Sequence, residues 1–358
     1  MKAGIVSLYG YFNYGNRLQS YAVQQILRGL GFETEVIYIQ SYKQKIREIL
    51  TDIYFSRCAQ LVLRSSKKLK NKYRRQKNIE KFNKQYINAK GYTSLNRIND
   101  ADYFVLGSDQ VWNPKRYDDV KKQLFFLTFT EEKKKVCFAP SFGVSEIPDE
   151  WALYFKKELE TFPMLSVREK AGRDIIKKLT GREAEVLIDP TLLINAEEWL
   201  KIINKPSNVD LNKNYVLNYF IGGQTEKAKE KSEFFSSECQ LEIYNMFDTQ
   251  SSGLFSSGPS EFLYLIKNAR IIQTDSFHAC VFSFLFGKPF LLYAREGADP
   301  DMLSRLETFF SLFDLERKYV NSGLPNDDFE CDYHTGYERL DEERRKAIQF
   351  LKKSMKLE

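Results

Sequence analysis

Two histidines occur in the 358 residues of this chain, and one of them lies where a parallel α/β sheet would place a ligand. His278 follows an apolar run that predicts a buried strand and begins a run that predicts a helix. Ligands bind beyond the carboxyl ends of such strands, and a helix N-terminus there favours an anion. Asp275, Ser276 and His278 are therefore candidate site residues. Helix capping by Asp275 or Ser276, with His278 merely packed, explains the same spacing equally well.

Arg168 is a candidate anion-binding residue. It follows a short apolar run, MLSV, and begins a predicted helix, so its side chain is expected at a strand end beside helix amide groups. A guanidinium is permanently charged and binds a carboxylate or a phosphate through two parallel hydrogen bonds. The alternative is a surface arginine paired with Glu169 or Asp174.

Two loops that follow predicted strands carry further polar residues. Residues 10–17 (GYFNYGNR) contain neither a Walker A motif nor GxGxxG, so this segment is either a cradle for a substrate or a tight turn before a helix. Residues 107–114 (GSDQVWNP) suit hydrogen bonding and stacking on a sugar ring, unless the tryptophan fills a core, and residues 140–143 (PSFG) are expected to line the same mouth. The candidate substrate-binding residues in the two loops are Asn13, Gly15, Asn16, Arg17, Ser108, Asp109, Gln110, Trp112 and Asn113.

Several other polar residues are interpreted as structural. His334 lies in a polar turn, CDYHTG, and Asp189, which precedes a proline, is interpreted as a turn that ends a strand. Glu197, Glu198 and Asp210 have no spacing that indicates a glycosidase pair. The five cysteines are widely spaced and form no CxxC motif, which argues against a disulfide framework or a zinc site and favours a reducing cytoplasm. No metal is therefore expected.

The order of apolar runs and turns predicts an α/β fold with two units. Strand, helix and strand alternate over residues 3–39, which favours a parallel sheet with right-handed crossovers. The polar, proline-containing segment 204–214 is the strongest linker candidate. We expect Rossmann-like, doubly wound domains at residues 1–204 and 214–335, facing a cleft as in the GT-B architecture, and a C-terminal helix at residues 336–358.

Composition excludes several classes of protein. Hydrophobic residues make up 43% of the chain and charged residues 28%, so disordered, collagen-like and coiled-coil chains are excluded. The opening sequence MKAGIVSLYG has too short an apolar run for a signal peptide, and no stretch of about 18 apolar residues predicts a membrane span. We expect a cytoplasmic protein.

Basic residues are concentrated in one segment. Residues 43–90 contain 15 Lys and Arg but three acids, whereas the whole chain has a net charge of +6. The segment is predicted to form two helices inserted into the first domain. It suits peripheral docking on the anionic inner face of the cytoplasmic membrane, or it is a solvated helical hairpin that covers the first domain. Nucleic-acid binding is not supported, because no RNP, zinc-finger or helix-turn-helix pattern accompanies the charge.

Several sequence blocks, found in one order from about residue 4 to residue 293, together resemble the polysaccharide pyruvyltransferase family, in its branch with a TDSFH motif. The blocks are NYGNRLQSYAVQQIL, YFVLGSDQVWNP, SVREKAG, VLIDPTLLI, GPSEFLYLIKNARII and TDSFHACVFSFLFGKPFLLY. The resemblance implies a GT-B-like fold and transfer of the enolpyruvyl unit of phosphoenolpyruvate onto two hydroxyls of one sugar. The implied products are a cyclic pyruvate ketal and inorganic phosphate.

The resemblance also implies partners and residue roles. The acceptor would be a glycan of a bacterial surface polysaccharide or its undecaprenyl-linked precursor, and no cofactor is implied besides phosphoenolpyruvate as donor substrate. Arg168 matches the arginine of the family's S-x-R-E block, which binds the donor. His278 matches the family's histidine, and a group that titrates near neutrality suits the proton transfers of ketal formation. Asp275 is the expected orienting partner of His278.

The chain departs from the family at one position of interest. Many members carry S-x-R-L-H-G, with an arginine two residues before the histidine, whereas this chain has Ser276 there and Ala279 in place of the glycine. Helix amides, Lys288 or Arg295 are expected to replace the lost anion contact. Two other functions stay open, namely a glycosyltransferase of the same plan that binds a nucleotide sugar and a non-catalytic scaffold of envelope-polysaccharide synthesis.

Overall fold

The computed structural model describes residues 1–9, 13–40, 67–211, 213–295, 304–322 and 328–357. In its first half, parallel strands form a five-stranded sheet of order β3-β2-β1-β4-β5. The strands are β1 Lys2–Val6, β2 Glu33–Ile39, β3 Ala89–Tyr92, β4 Tyr103–Leu106 and β5 Lys135–Cys137. Ile5, Val36 and Val105 are completely buried, because apolar runs in a parallel sheet are covered on both faces.

A second parallel sheet, of order β11-β10-β8-β9, lies in the second half of the chain. Its strands are β8 Tyr215–Tyr219, β9 Glu242–Asn245, β10 Ile271–Thr274 and β11 Phe290–Leu292. Between the two sheets in sequence, β6 Ser166–Val167 and β7 Glu185–Val186 form a short parallel pair. The predicted α/β class is confirmed, while the edge strand β3 was not predicted.

Helices connect the strands at positions close to those predicted. They are α1 Tyr14–Gly29, α2 Lys67–Tyr86, α3 Asp119–Leu124, α4 Asp149–Glu160, α5 Lys170–Thr180, α6 Pro190–Leu193, α7 Ala196–Leu200, α8 Glu226–Ser237, α9 Ser252–Phe255, α10 Pro259–Asn268, α11 Phe277–Leu285, α12 Ser304–Phe313 and α13 His334–Ser354. The predicted start of α12, at residue 302, lies outside the described residues. Side-chain caps fix several helix starts, as where the Asn13 carboxamide accepts a hydrogen bond of 2.8 Å from the Gly15 amide.

The carboxyl ends of the two sheets face each other. The loop after β1 leads into α1, where the Tyr14 hydroxyl donates a 2.6 Å hydrogen bond to the carbonyl of Ser257 in the second half. The Tyr14 ring also stacks on Phe262 of α10, with centroids 5.1 Å apart. Because strand ends of both halves converge on this contact, the chain has a GT-B-like arrangement of two Rossmann-like units. The exact domain boundaries stay a prediction.

The C-terminal helix α13 returns to the first half of the chain. The Lys346 ammonium donates to the carbonyl of Val186 at 2.7 Å, and Arg344 Nε donates to the carbonyl of Leu192 at 2.8 Å. His334, the first residue of this helix, is exposed, as the sequence predicted. The helix begins two residues before its predicted start at residue 336, and it ties the two units together.

Helix α2 is the part of the basic segment that the structure describes, since residues 43–66 lie outside it. It carries nine Lys and Arg and a single acid. One face packs on the second unit, where Asn71 Nδ2 donates to the Thr249 carbonyl at 3.0 Å and Asn78 Nδ2 donates to the Ser256 carbonyl at 2.7 Å. Arg75 lies over the Tyr14 ring, 4.9 Å from its centroid. The helix therefore bridges both units rather than covering the first alone.

Within the described ranges, no helix is both long enough and apolar enough to span a bilayer.

Candidate active site

Asp189 lies at the centre of the cluster that the converging strand ends create. It follows β7 and caps α6, with Oδ1 accepting hydrogen bonds from the Thr191 amide at 3.0 Å and the Thr191 hydroxyl at 2.7 Å. Its Oδ2 accepts from Arg168 Nη1 and, at 2.5 Å, from Gln19 Nε2. Burial raises the pKa of the carboxyl, but the charges of Arg168 and His278 and the Thr191 hydrogen bonds outweigh burial and hold the pKa at about 2. Asp189 is thus a buried, charged group as well as the predicted turn.

Arg168 is buried beside this carboxylate. Its guanidinium carbon lies 4.9 Å from the centroid of the Phe277 ring, and its Nη2 lies 3.8 Å from Asp109 Oδ1. Burial lowers its pKa, but Asp189 and Asp109 raise it further, so the group is charged. Its Nε and Nη2 donate no hydrogen bond in the part of the chain that is described. Two buried guanidinium nitrogens are therefore left for a ligand.

The alternative of a surface ion pair for Arg168 is wrong. Arg168 is 3% exposed, and Asp174 is paired instead with Arg173 at 2.8 Å. Glu169 is also buried, and its Oε1 accepts hydrogen bonds from the Ser141 hydroxyl at 3.0 Å and from the backbone amides of the 140–143 loop.

His278 lies on the other strand end, at the start of α11. Its Nε2 lies 3.9 Å from Asp189 Oδ2 and makes no hydrogen bond with any described residue. Burial lowers the pKa of the imidazole to about 4, an effect that the charge of Asp189 only partly opposes. The predicted titration near neutrality is therefore wrong for the free protein, in which His278 is a neutral base at pH 7.

Gly15 makes room for that imidazole. A Cβ atom at this position would lie 2.1 Å from His278 Nδ1, a separation that no side chain can adopt. The loop before α1 thus acts partly as a turn, with Asn13 as the cap, and partly as a wall of the site. Asn16 and Arg17 follow in the same helix and are buried, with the Arg17 guanidinium 4.0 Å from the Tyr9 ring centroid.

The predicted pairing of Asp275 with His278 is wrong. The two carboxylate oxygens of Asp275 accept 2.7 Å hydrogen bonds from the amides of Ile221 and Gly222, and Oδ2 also accepts from Arg295 Nε at 2.8 Å. Asp275 therefore organises the loop after β8, and the carboxylate nearest to the imidazole is that of Asp189. Arg295 lies at the correct edge of the sheet, but its charge is already matched.

Lys288 does not lie where it could replace the missing anion contact, and Ser276, a predicted substrate-binding residue, lies at the start of α11. Ser276 precedes α11 as its cap residue, and its amide donates to Thr274 Oγ1 at 3.0 Å. Lys288 precedes β11, and since β10 and β11 are parallel it lies at the amino edge of the sheet, away from His278. Its carbonyl accepts from the Tyr333 hydroxyl at 2.9 Å, and burial and the nearby Lys267 lower the pKa of its ammonium.

The loop at residues 107–114 divides into a core part and a site part. Trp112 is completely buried, its indole N–H donates to the Phe125 carbonyl at 3.1 Å, and its ring stacks on Phe126, so the predicted sugar platform is wrong. Ser108 donates to the Ala139 carbonyl at 2.9 Å. The other side chains of the loop differ in place: Asn113 caps a short turn, Gln110 packs on Gly143, and Asp109 lies beside Arg168.

Arg305 belongs to this cluster, although no local pattern in the sequence marks it. Its guanidinium carbon lies 5.8 Å from the Phe277 ring centroid, and it lines a pocket together with Arg168, Asp189 and Thr308. Asp189, its hydrogen-bond partners Gln19 and Thr191, and Arg305 were not predicted as site residues. The described ranges contain no group of His, Cys, Asp and Glu side chains arranged to hold a metal ion.

The structure resembles several solved structures at low sequence identity. The UDP-GlcNAc 2-epimerase of Neisseria meningitidis, bound to UDP-GlcNAc, is 12% identical over 99% of this chain and 100% of that chain, with a TM-score of 0.44. MurG of Acinetobacter baumannii is 10% identical over 98% of this chain and 95% of that chain, with a TM-score of 0.40. Likeness at this level does not bear on activity.

Sequence relationships give a clearer result. No curated protein matches the chain significantly. The sequence profile described as polysaccharide pyruvyl transferase matches residues 13–297, which include every residue of the cluster around Asp189 except Arg305. The chain therefore belongs to the polysaccharide pyruvyl transferase family.

Proposed function

We propose that this protein transfers the pyruvyl group of phosphoenolpyruvate to two hydroxyls of one sugar, giving a cyclic pyruvate ketal and inorganic phosphate. Family membership supports pyruvyl transfer to a polysaccharide. The observation that carries the finer proposal is the meeting of Arg168 and His278 at one oxygen of Asp189, with unbonded nitrogens on both side chains. The guanidinium of this pair suits a donor with two anionic groups, and the imidazole suits a sugar that must lose two hydroxyl protons.

The reaction forms two bonds from sugar oxygens to one carbon of the donor. A proton is added to the methylene carbon of the donor, and the first sugar oxygen bonds to the adjacent carbon as its hydroxyl proton is lost. The second sugar oxygen then bonds to the same carbon, and the bond from that carbon to the phosphate oxygen breaks. One hydroxyl proton is retained in the new methyl group and the other leaves with phosphate, so atoms and charge balance.

His278 is suited to the deprotonation step. As a neutral imidazole with a free Nε2, it can accept a hydroxyl proton directly. The imidazolium so formed lies 3.9 Å from the Asp189 carboxylate, which stabilises the new positive charge. Asp189 at the same time holds Arg168 in place, so donor binding and proton transfer share one support.

The basic helix α2 supports a proposal about where the sugar acceptor is met. Lys67, Lys68, Lys72 and Lys84 of α2 are exposed, while Asn71 and Asn78 of that helix pack on the second unit. We propose that these exposed lysines meet the anionic surface of the cytoplasmic membrane, where a lipid-linked sugar would be presented. Each basic residue near such a surface contributes up to about 1 kcal/mol.

Phosphate release on mixing the protein with phosphoenolpyruvate and galactosides tests the proposed reaction. His278→Ala and Arg168→Ala are expected to lose activity, and the exposed Arg173→Gln serves as the charge-matched control. Full turnover in both site variants would overturn the assignment.

Thermal shift separates the competing functions. Stabilisation by phosphoenolpyruvate supports the pyruvyl transfer proposal, because a ligand that binds the folded state raises its unfolding temperature. Stabilisation by UDP- or GDP-sugars alone would instead indicate a glycosyltransferase. If neither class of ligand stabilised the protein, a non-catalytic scaffold would be favoured.

A further inference from the structure

Arg305 is a guanidinium without a matched charge. In the described structure no carboxylate lies within 4 Å of it, and its Nε is buried with no hydrogen-bond partner. It lies over the ring of Phe277, as Arg168 does, at 5.8 Å against 4.9 Å from the centroid. Two guanidinium groups therefore lie near one aromatic side chain, and all three residues line one pocket.

The carboxylates of the cluster lie nearer to other groups than to Arg305. Asp189 is saturated by Arg168, Gln19 and Thr191. Glu169 faces the 140–143 loop through Oε1, its Oε2 accepts no hydrogen bond from a described residue, and Asp109 lies nearest to Arg168.

The carboxylates of Asp189, Glu169 and Asp109 are too distant to neutralise the charge of Arg305. Burial, followed by the like charge of Arg168, lowers the pKa of Arg305 to about 10. A partly buried charge without a close partner costs free energy in the folded state, and such a cost is typical of a binding site.

We propose that Arg305 is the second guanidinium of the donor site, and that with Arg168 it binds an oxyanion group of the donor, a carboxylate or a phosphate. This inference rests on the proposed function. It identifies the residue that replaces the arginine lacking at Ser276, because Lys288 lies at the far edge of the sheet and Arg295 is neutralised by Asp275. Arg305 reaches the site from α12, an element outside the matched family region, which ends at residue 297.

Binding measurements on Arg305→Met and Arg305→Lys test the proposal. Met keeps the unbranched apolar stem of the side chain without the charged group, and Lys keeps the charge without the planar fork. Calorimetry with phosphoenolpyruvate is expected to give at least about tenfold weaker binding for Arg305→Met and an intermediate loss for Arg305→Lys, since a charge-assisted hydrogen bond is removed. Arg173→Gln, an exposed change of the same charge, is expected to bind like the parent protein.

Thermal unfolding without ligand distinguishes a binding residue from a structural one. Removing a partly buried, uncompensated charge is expected to raise the unfolding temperature of Arg305→Met, while donor binding weakens. A lower unfolding temperature together with unchanged donor binding would mean that Arg305 is structural and would overturn the proposal. If Arg305→Met did not fold, the same comparison of donor binding and unfolding temperature would be made for Arg305→Lys.

Inorganic phosphate and pyruvate identify the group that is bound. Loss of phosphate binding in Arg305→Met, with pyruvate binding retained, assigns Arg305 to the phosphate, and the reverse assigns it to the carboxylate. If the parent protein bound phosphate through Arg305 but did not bind phosphoenolpyruvate, the proposed pyruvyl transfer would be wrong, whereas anion binding by Arg305 would be confirmed. If it turned over phosphoenolpyruvate equally well with Arg305→Met, the proposed function would stand and this inference would fail.

Discussion

The Nε2 atom of His278 lies 3.9 Å from the Oδ2 atom of Asp189, and that same oxygen accepts a hydrogen bond from Arg168. The imidazole comes from the second unit and the guanidinium from the first, so a single carboxylate joins the two halves of the site. Because the carboxylate is buried and charged, it sets both the position of Arg168 and the charge that an imidazolium would meet.

Asp189→Asn is expected to lower phosphate release by about 100-fold or more, since the amide keeps the size of the side chain but removes the charge that stabilises imidazolium. Loss of one partner of a buried ion pair also destabilises proteins by about 3–5 kcal/mol. Urea unfolding and steady-state kinetics measure the two effects separately. Asp174→Asn, which changes an exposed carboxylate, is the control, and equal activity in both variants would remove Asp189 from the mechanism.

The pKa of His278 is expected to rise when the donor binds. In the free protein it lies at about 4, because burial disfavours the charged imidazole. A bound anion adds negative charge beside the ring, which favours imidazolium and raises the pKa by about one unit or more. NMR titration is direct because the chain has two histidines, and His334→Gln assigns the second resonance. An unchanged pKa in the presence of phosphoenolpyruvate would place the anion away from the imidazole.

The same buried imidazole makes stability depend on pH. Between pH 6.5, its ordinary pKa, and about pH 4, its pKa in the folded chain, the unfolded chain binds a proton that the folded chain does not. The free energy of unfolding therefore falls as the pH falls through this window, by on the order of 3 kcal/mol at 1.36 kcal/mol per unit. In His278→Asn this part of the loss is expected to vanish. Urea unfolding curves at several pH values check this, and parallel pH profiles for the two proteins would contradict it.

The sequence was sufficient to predict which strand ends carry the candidate site. Arg168 follows β6 and His278 follows β10, so each lies at the carboxyl end of a parallel strand, but in two different sheets. The position of Lys288 was also predictable. Because β10 and β11 are parallel, Lys288, which precedes β11, lies at the opposite edge of the sheet from His278, which follows β10. Local pattern and topology decide these placements.

The partners within the site could not be predicted from local pattern. Asp275 is three residues from His278 in sequence, yet the imidazole meets Asp189, which is 89 positions away. Trp112 has a polar tip that suits a sugar, but packing against Phe126 and Phe142 places it in the core. Arg305 is one of many arginines, and only its burial over Phe277 marks it. Such contacts depend on how the helices of two units pack.

Replacement of Lys67, Lys68, Lys72 and Lys84 by Gln is expected to weaken binding to phosphatidylglycerol vesicles by tenfold or more, because α2 loses four exposed positive charges. The effect should diminish at high salt, where the Debye length shortens. The control replaces the exposed Lys156, Lys157, Lys352 and Lys353 in the same way. Vesicle sedimentation measures the binding of both variants. Equal losses of binding would show that the net charge of the protein, rather than the location of these lysines on α2, determines vesicle binding.

Gly15→Ala tests whether the position of the imidazole limits the reaction. A Cβ at this position would lie 2.1 Å from His278 Nδ1, so the ring must move, and a displacement of about 1 Å from its working position costs about 100-fold in rate. Gly29→Ala is the matched control in the same helix, because nothing lies within 4 Å of its Cβ. The control is expected to keep full activity and to gain about 0.5–1 kcal/mol in stability, as alanine favours helix. Phosphate release measured for the two variants separates them, and full activity in Gly15→Ala would show that the reaction does not depend on where the His278 ring lies.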